Sequence, residues 1–200
     1  MSHDAFAYAS ANALARESLE RAEGAAYRDA FCAAPVSTAV RAQLRMRLLA
    51  RRRGAAVKLV RAVPRLPRFV TDFDVAVARE EHAEEAAFLI AAAYEMPAAA
   101  EAMFAALVGR PGWVCHVALR GGTAVGAAML FAPPERVGWL GFAATRPDFR
   151  GRGAHSALIA TRLSAATTAG CYSVVAEAPA GAAGPLRNLE RAGFTVAYVR

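Results

Sequence analysis

Along residues 4–33, apolar positions such as Phe6, Ala9, Ala13, Leu19 and Ala26 recur among charged ones, which predicts a helix that Pro35 breaks. Ser37 and Thr38 predict the cap of a second helix over 38–53, ending in Arg51-Arg52-Arg53 ahead of Gly54. Basic side chains in a last helical turn complement the helix dipole, so the triple arginine fits a helix end. GAAVKLVRAV (54–63) alternates as a strand does, and PRLPRF (64–69), with two prolines, predicts a linker. A boundary is expected near residue 72.

Beyond it the period keeps switching. DVAVAR (74–79) is a short alternating strand; EHAEEAAFLIAAAYE (81–95) is a helix with an acidic first turn; Met96-Pro97 opens another helix to about 109. Residues 113–132 predict two strands joined at Gly121-Gly122, the strongest hairpin signal in the chain. A third strand spans 136–145, RPDFRGRG is a loop, and 154–170 is a helix closed by Gly170. A strand at 172–178, a short helix at 185–193 and a closing strand follow. The order β-α-α-β-β-β-α-β-α-β predicts a mixed α/β core over 73–200, with a mainly helical extension carrying one strand over 1–72.

Composition adjusts this picture in one respect. The apolar fraction is 56%, but 52 of the 200 residues are alanine, leaving an ordinary share of bulky apolar residues. No 18-residue stretch lacks both charge and proline, so no membrane span is expected. The first residues carry acids and no apolar core segment, so no secretory leader is expected. Cys32, Cys115 and Cys171 are far apart and form no CxxC pair, which predicts small buried thiols in a reducing cytoplasm, with neither zinc site nor disulfide framework. Of the 24 basic residues 23 are arginine, and the net charge of +7 lies entirely in residues 1–72, the remainder being balanced at 11 against 11. Such a segment suits an acidic partner or nucleic acid. Its arginines scatter around helices that carry their own acids, however, and no aromatic stacking platform accompanies them, which argues against nucleic acid.

The chemistry sits where a strand runs into Arg150-Gly151-Arg152-Gly153-Ala154-His155 and then a helix. Glycines let successive backbone N–H groups turn toward one point, and a helix N-terminus adds partial positive charge there. With two arginines alongside, the expected guest is a pyrophosphate. Neither the GxxxxGK[ST] loop nor the GxGxxG fingerprint is present.

The stretch GFAATRPDFRGRGAHSALIATRL, with LRNLERAGFTVAYVR further on, resembles the GNAT superfamily of N-acetyltransferases over roughly residues 73–200. Its Arg/Gln-x-x-Gly-x-Gly/Ala signature is matched by Arg150, Gly153 and, imperfectly, His155; the helix ending in Ala192-Gly193-Phe194 is similar to a second landmark. The resemblance implies a central twisted sheet flanked by helices, with acetyl-CoA as co-substrate and no metal. It implies that the strand ending at Ala143-Ala144-Thr145 offers its backbone to the pantetheine arm. The amides of Arg150, Gly151, Arg152, Gly153, Ala154 and His155 would hold the pyrophosphate, and small Ala154 and Ala157 would let the helix approach closely. Asn188 would reach the CoA arm or serve as a solvated or capping residue.

Departures from the pattern leave roles open. His155 stands where Gly or Ala is usual, so its bulk must point away. Many members use a Tyr as general acid where this chain has Leu189, which leaves Tyr198, water or no group as proton donor. An ammonium must lose a proton before it attacks a thioester. Glu177, at the end of YSVVAEA, is the candidate base, its pKa raised by an apolar surround; it could equally order the PAGAAG loop that follows. Tyr94 and Glu95 would face the acceptor or end a solvated helix. His116 reads as a half-buried, hydrogen-bonded residue and His82 as surface. Trp113, Trp139 and Phe142 read as core, with Trp139 able to wall the acceptor pocket.

The leading function is acetyl transfer to the primary amine of a small molecule or peptide by direct attack; the alternative is a non-catalytic acyl-CoA-binding sensor or structural protein. The basic segment is expected to pack on the core, with 54–63 joining or extending a sheet, and to shape the acceptor site or a homodimer interface.

Overall fold

A computed structural model describes residues 3–52, 54–63 and 72–200, without the side chains of 3–15, 51 and 52. The linker expected at 64–69 and the side chains of the triple arginine lie outside the described residues.

Two helices come first, α1 (His3–Ala33) and α2 (Thr38–Arg52), then strand β1 (Ala56–Ala62). The second part runs β2 (Asp74–Val77), α3 (Glu80–Ala93), α4 (Ala99–Ala105), β3 (Trp113–Arg120), β4 (Thr123–Phe131), β5 (Val137–Thr145), a 3-10 turn (Pro147–Phe149), α5 (Ala154–Thr168), β6 (Ser173–Pro179), α6 (Ala183–Arg191) and β7 (Thr195–Val199). The expected mixed α/β architecture is present: one seven-stranded sheet, mostly antiparallel, with helices packed against it. Gly121 and Gly122 close the β3–β4 hairpin with φ of 57° and 80°, both left-handed, as a tight two-residue turn requires.

The strand order is β2-β3-β4-β5-β6-β1-β7. Strand β1 therefore joins the sheet as an interior member, antiparallel to β6 on one side and to β7 on the other. Its residues Ala56 to Leu59 are buried, a continuous apolar run interrupted by Lys58.

Helix α1 binds the sheet through a stripe of small residues. Leu19, Ala22, Ala26 and Ala30 recur at helical spacing and are all buried. Alanine on that stripe lets the helix lie close to β5. Asp29 completes the attachment: it accepts from Arg110 Nε and Nη2 at 2.7 and 2.9 Å and from Trp113 Nε1 at 2.8 Å. The same Arg110 holds the Asp29 carboxyl below its usual pKa. On the exposed face Arg16 pairs with Glu20 and Arg21 with Glu17, four residues apart, so part of the basic charge is spent within the helix.

Candidate functional site

The site originates in a break in the sheet. Strands β5 and β6 pair in parallel from Val137↔Ser173 to Leu140↔Ala176 and then part. At the same point β5 slips in register against β4, and Phe142 adopts a left-handed φ of 47°. A bulge re-aims a strand; here it turns the Gly141–Thr145 stretch away from β6 while leaving it bonded to β4. One backbone edge of that stretch is thus left open. Phe142 is held in its strained conformation by a ring cluster of Tyr27, Tyr94, Phe104, Trp113 and Trp139, with centroids 4.9 to 6.1 Å away.

The open edge faces a cleft of about 880 Å³. Ala143, Ala144, Thr145, Arg150, Gly151, Gly153, Ala154, His155 and Asn188 all line it, so the structure brings most of the expected nucleotide-side residues together. Arg152 is separate from them: it is exposed, with its guanidinium over the Phe149 ring at 5.5 Å. Ala157 is buried beneath the cleft and does not line it. Gly151 and Gly153 have φ of 73° and 89°, and a Cβ on either would meet nothing within 4 Å. They are needed for backbone conformation, and Gly153 turns the chain into α5 so that the unbonded first-turn amides point to the cleft. Two further cations, Arg187 and Arg191, reach it from α6. Their four-residue spacing on a short helix was visible in the sequence but carried no signal of direction.

His155 does not point away, as its bulk was expected to require. It lines this cleft and also the adjoining cavity, and Asn188 Nδ2 donates to its Nδ1 at 3.0 Å. That bond fixes the neutral tautomer as Nε2–H. Burial, with the Arg162 charge second, pushes its pKa down to about 4. Asn188, half-buried, is thus tied to His155 at the edge of the cleft.

The adjoining cavity, of about 480 Å³, occupies the wedge between β5 and β6. Tyr27, Leu48, Gly54, Ala55 and Ala56 contribute to it from the first part of the chain; Tyr94, Trp139, Glu177 and Leu189 contribute from the second. Trp139 therefore does wall it, and Tyr94 faces it while Glu95 does not. Ala93, Ala143, His155 and Pro185 line both spaces, which makes this the place where the two meet.

Glu177 is present in the cavity, but its surround is ionic where an apolar one was expected. The Lys58 ammonium contacts both Glu177 and Glu23, the latter at 2.5 Å, and Arg200 approaches Glu177 at 3.5 Å. Lys58 and Glu23 are buried. This cluster spans α1, β1 and β6, and nothing in the spacing of residues 23, 58 and 177 announced it. Tyr198 lines neither space. Its hydroxyl donates to Glu20 at 3.1 Å, Arg16 lies over its ring, and burial pushes its pKa up to about 12. The phenols lining the cavity are Tyr27 and Tyr94.

Arg162 was not singled out by the sequence, yet it is fully enclosed on α5 and lines the cavity. His116, expected half-buried and bonded, is 1% exposed, and its Nδ1 has no hydrogen-bond partner among the described residues. Burial lowers its pKa to about 4. His82 caps α3 by accepting from the Arg79 amide. Cys115 and Cys171 are buried as expected, whereas Cys32 is exposed. Among the described residues no group of His, Cys, Asp or Glu could hold a metal ion, and no helix is long and apolar enough to cross a membrane.

Residues 73–194 match the acetyltransferase (GNAT) family. Solved structures share the fold. A GCN5-related N-acetyltransferase from Sphaerobacter thermophilus aligns at 19% identity and a TM-score of 0.58, covering 76% of this chain and 53% of that one. Another, from Kribbella flavida, aligns at 19% and 0.57, covering 76% and 60%. The structure of AAC(6')-Iy in complex with the bisubstrate analog CoA-S-monomethyl-acetylneamine aligns at 20% and 0.57, covering 62% and 92%. The chain thus spans little more than half the length of the first two. No curated protein matches it.

Proposed function

The chain belongs to the GNAT acetyltransferase family, and on that premise we propose that it transfers acetyl from acetyl-CoA to the primary amine of a small molecule or peptide by direct attack. One observation carries the reading: a cleft built from open backbone and arginines runs into a separate side-chain-lined cavity at Ala93, Ala143, His155 and Pro185. Two reactants entering from opposite sides would meet there, which is what a direct transfer needs.

The residues present fit CoA. The glycine turn, the first-turn amides of α5 and the side chains of Arg150, Arg187 and Arg191 suit a pyrophosphate, and the free edge of Gly141–Thr145 suits an amide-bearing arm laid along it. When bound, acetyl-CoA supplies the thioester carbon that the amine attacks and the thiolate that leaves. Glu177 receives the proton of the incoming ammonium, directly or through water, while Lys58 fixes the carboxylate in place. Tyr94, which lines the cavity wall beside Tyr27, takes the place of Tyr198 as the proton donor of this reading. We read residues 1–72 as an extension that completes the acceptor side, since Tyr27, Leu48 and Gly54–Ala56 line it. The free thiols support a reducing, cytoplasmic setting.

Calorimetric titration with CoA, set beside thiol release from acetyl-CoA over an amine panel, tests the proposal. Glu177→Gln should lower kcat/KM by roughly a hundredfold, the usual scale for a general base, with CoA affinity kept. Leu189, which puts hydrocarbon on the cavity wall, favours one other reading, a non-catalytic acyl-CoA binder. CoA binding without turnover of any amine would select it.

A further inference from the structure

The guanidinium of Arg162 has more donors than the protein uses. Nε donates to Leu158 O at 3.0 Å, and Nη1 donates to Met129 O at 3.2 Å and to Gly141 O at 3.4 Å. These last two carbonyls belong to β4 and β5 at the bulge, so the side chain bridges the strands where their ladder slips. Nη2 makes no hydrogen bond among the described residues, although an arginine fork offers two N–H donors there. The residue is 2% exposed, and it lines the 480 Å³ cavity.

Its charge is equally unspent. Among the described residues no carboxylate lies within 4.0 Å of it. Glu177, the carboxylate on the cavity wall, is engaged by Lys58 and Arg200. The titratable neighbours supply no negative charge at pH 7: burial holds His116 and His155 to about 4 and pushes Cys115 up to about 12. Arg162 itself, lowered to about 10 by burial, keeps its proton. A buried cation without a carboxylate partner is costly, and an arginine fork is matched by a planar anion that accepts two parallel bonds.

We propose that Arg162 is the binding residue for a carboxylate carried by the substrate portion that enters this cavity, so that the enzyme selects carboxylate-bearing substrates. The inference deepens the acetyltransferase reading and rests on it for the identity of the reactants. In an amino acid the two ends would sort themselves, the amine to Glu177 and the carboxylate to Arg162, since both side chains line one cavity. The same chemistry could arrive on the acyl chain, as in a succinyl thioester. Tyr27, Tyr94 and Trp139 leave the rest of the space apolar and aromatic, which favours a side chain without charge.

The experiment compares partners that differ by the carboxylate alone. Calorimetry on the CoA-saturated protein measures L-phenylalanine against 2-phenylethylamine and L-leucine against isoamylamine; a second arm compares succinyl-CoA with acetyl-CoA. Wild type, Arg162→Lys and Arg162→Met are run side by side. The expected result is a preference of roughly tenfold to a hundredfold for the carboxylate member of one arm, the scale of a charge-assisted pair. That ratio should shrink in Arg162→Lys and fall to near one in Arg162→Met. Preference in the amine arm identifies an amino-acid acceptor, and preference in the acyl arm a dicarboxylic acyl donor. A wild-type ratio near one in both arms overturns the proposal even if neither variant folds, and so does a ratio that survives Arg162→Met. CoA binding reads the other premise separately. Carboxylate preference without CoA affinity would keep the anion site and discard acetyl transfer, whereas CoA binding with turnover of plain amines alone would do the reverse.

Discussion

The two spaces that meet at His155 are built on different principles. The 880 Å³ cleft is a main-chain device: left-handed glycines, a helix N-terminus and the unpaired edge of β5, all from residues within the family match. The 480 Å³ cavity is a side-chain device whose walls come partly from residues 27 to 56, outside that match. Backbone geometry accommodates the same nucleotide with many side chains. A side-chain cavity has to be respecified for each acceptor, and in this chain the first 62 residues help to specify it. On the proposed function the donor half is therefore generic and the acceptor half individual.

The sharpest way to break this contrast is to remove the first part altogether. If the donor cleft were autonomous, a fragment of residues 73–200 would fold and bind CoA. Because β1 lies between β6 and β7, its loss strips both of hydrogen-bonded neighbours and uncovers Val174 and Ala176 beside it. The fragment is expected to lose near-ultraviolet dichroism and cooperative unfolding entirely; a folded fragment that titrates with CoA would refute the dependence. A smaller cut at the same join is Lys58→Met. It removes the buried ammonium that Glu23 and Glu177 share and should cost about 3–5 kcal/mol, as loss of one partner of a buried pair does. The triple variant Lys58→Met, Glu23→Gln, Glu177→Gln should recover much of that loss in urea unfolding. If it recovers nothing, the pairing is not what Lys58 contributes.

What could be read from the sequence divides along the same line. The Arg150–His155 turn and the elements around it were legible because local conformation makes the donor cleft, and local conformation is written in consecutive residues. Every strand and helix lies within a few residues of its expected place for the same reason. The interior position of β1 was not legible: alternation identifies a strand but not its neighbours. Nor was the Lys58 cluster or the enclosure of Arg162, since both depend on contacts between elements more than 20 residues apart. Tyr198 stands outside both spaces for a related reason. Sequence placed it on the last strand, but Glu20 from the first helix decides which way its hydroxyl is spent.

Two buried histidines, His116 on β3 and His155 at the junction of the two spaces, give the fold a pH dependence. His116 has a pKa of about 4 in the folded protein against 6.5 in an exposed histidine, through burial and the nearby Arg162 charge. Below pH 6.5 the unfolded chain binds a proton that the folded one refuses until about pH 4, so stability falls as pH drops through that window. The loss should approach about 3 kcal/mol by pH 4. His155 contributes in the same direction. His116→Leu should flatten its share of the slope between pH 6.5 and 4; an unchanged slope would mean that other groups set the acid limit.

The smallest expected effect probes the donor turn and asks whether it is a main-chain device. At Gly153 a Cβ meets no atom within 4 Å, so Gly153→Ala introduces no clash, only the cost of holding alanine at a φ of 89°. That cost is about 1–2 kcal/mol, paid in stability or by letting the turn relax. A relaxed turn no longer aims the first amides of α5 together, so CoA should bind roughly tenfold more weakly. The carboxylate-to-amine preference measured in the other cavity should not move, because Arg162 lies two helical turns further along α5 and is anchored at the β4–β5 bulge. Arg150→Ala, which removes charge and leaves the turn intact, should weaken CoA less than Gly153→Ala does if backbone amides dominate. The reverse order would make the cleft a side-chain site after all, and the contrast between the two halves would collapse.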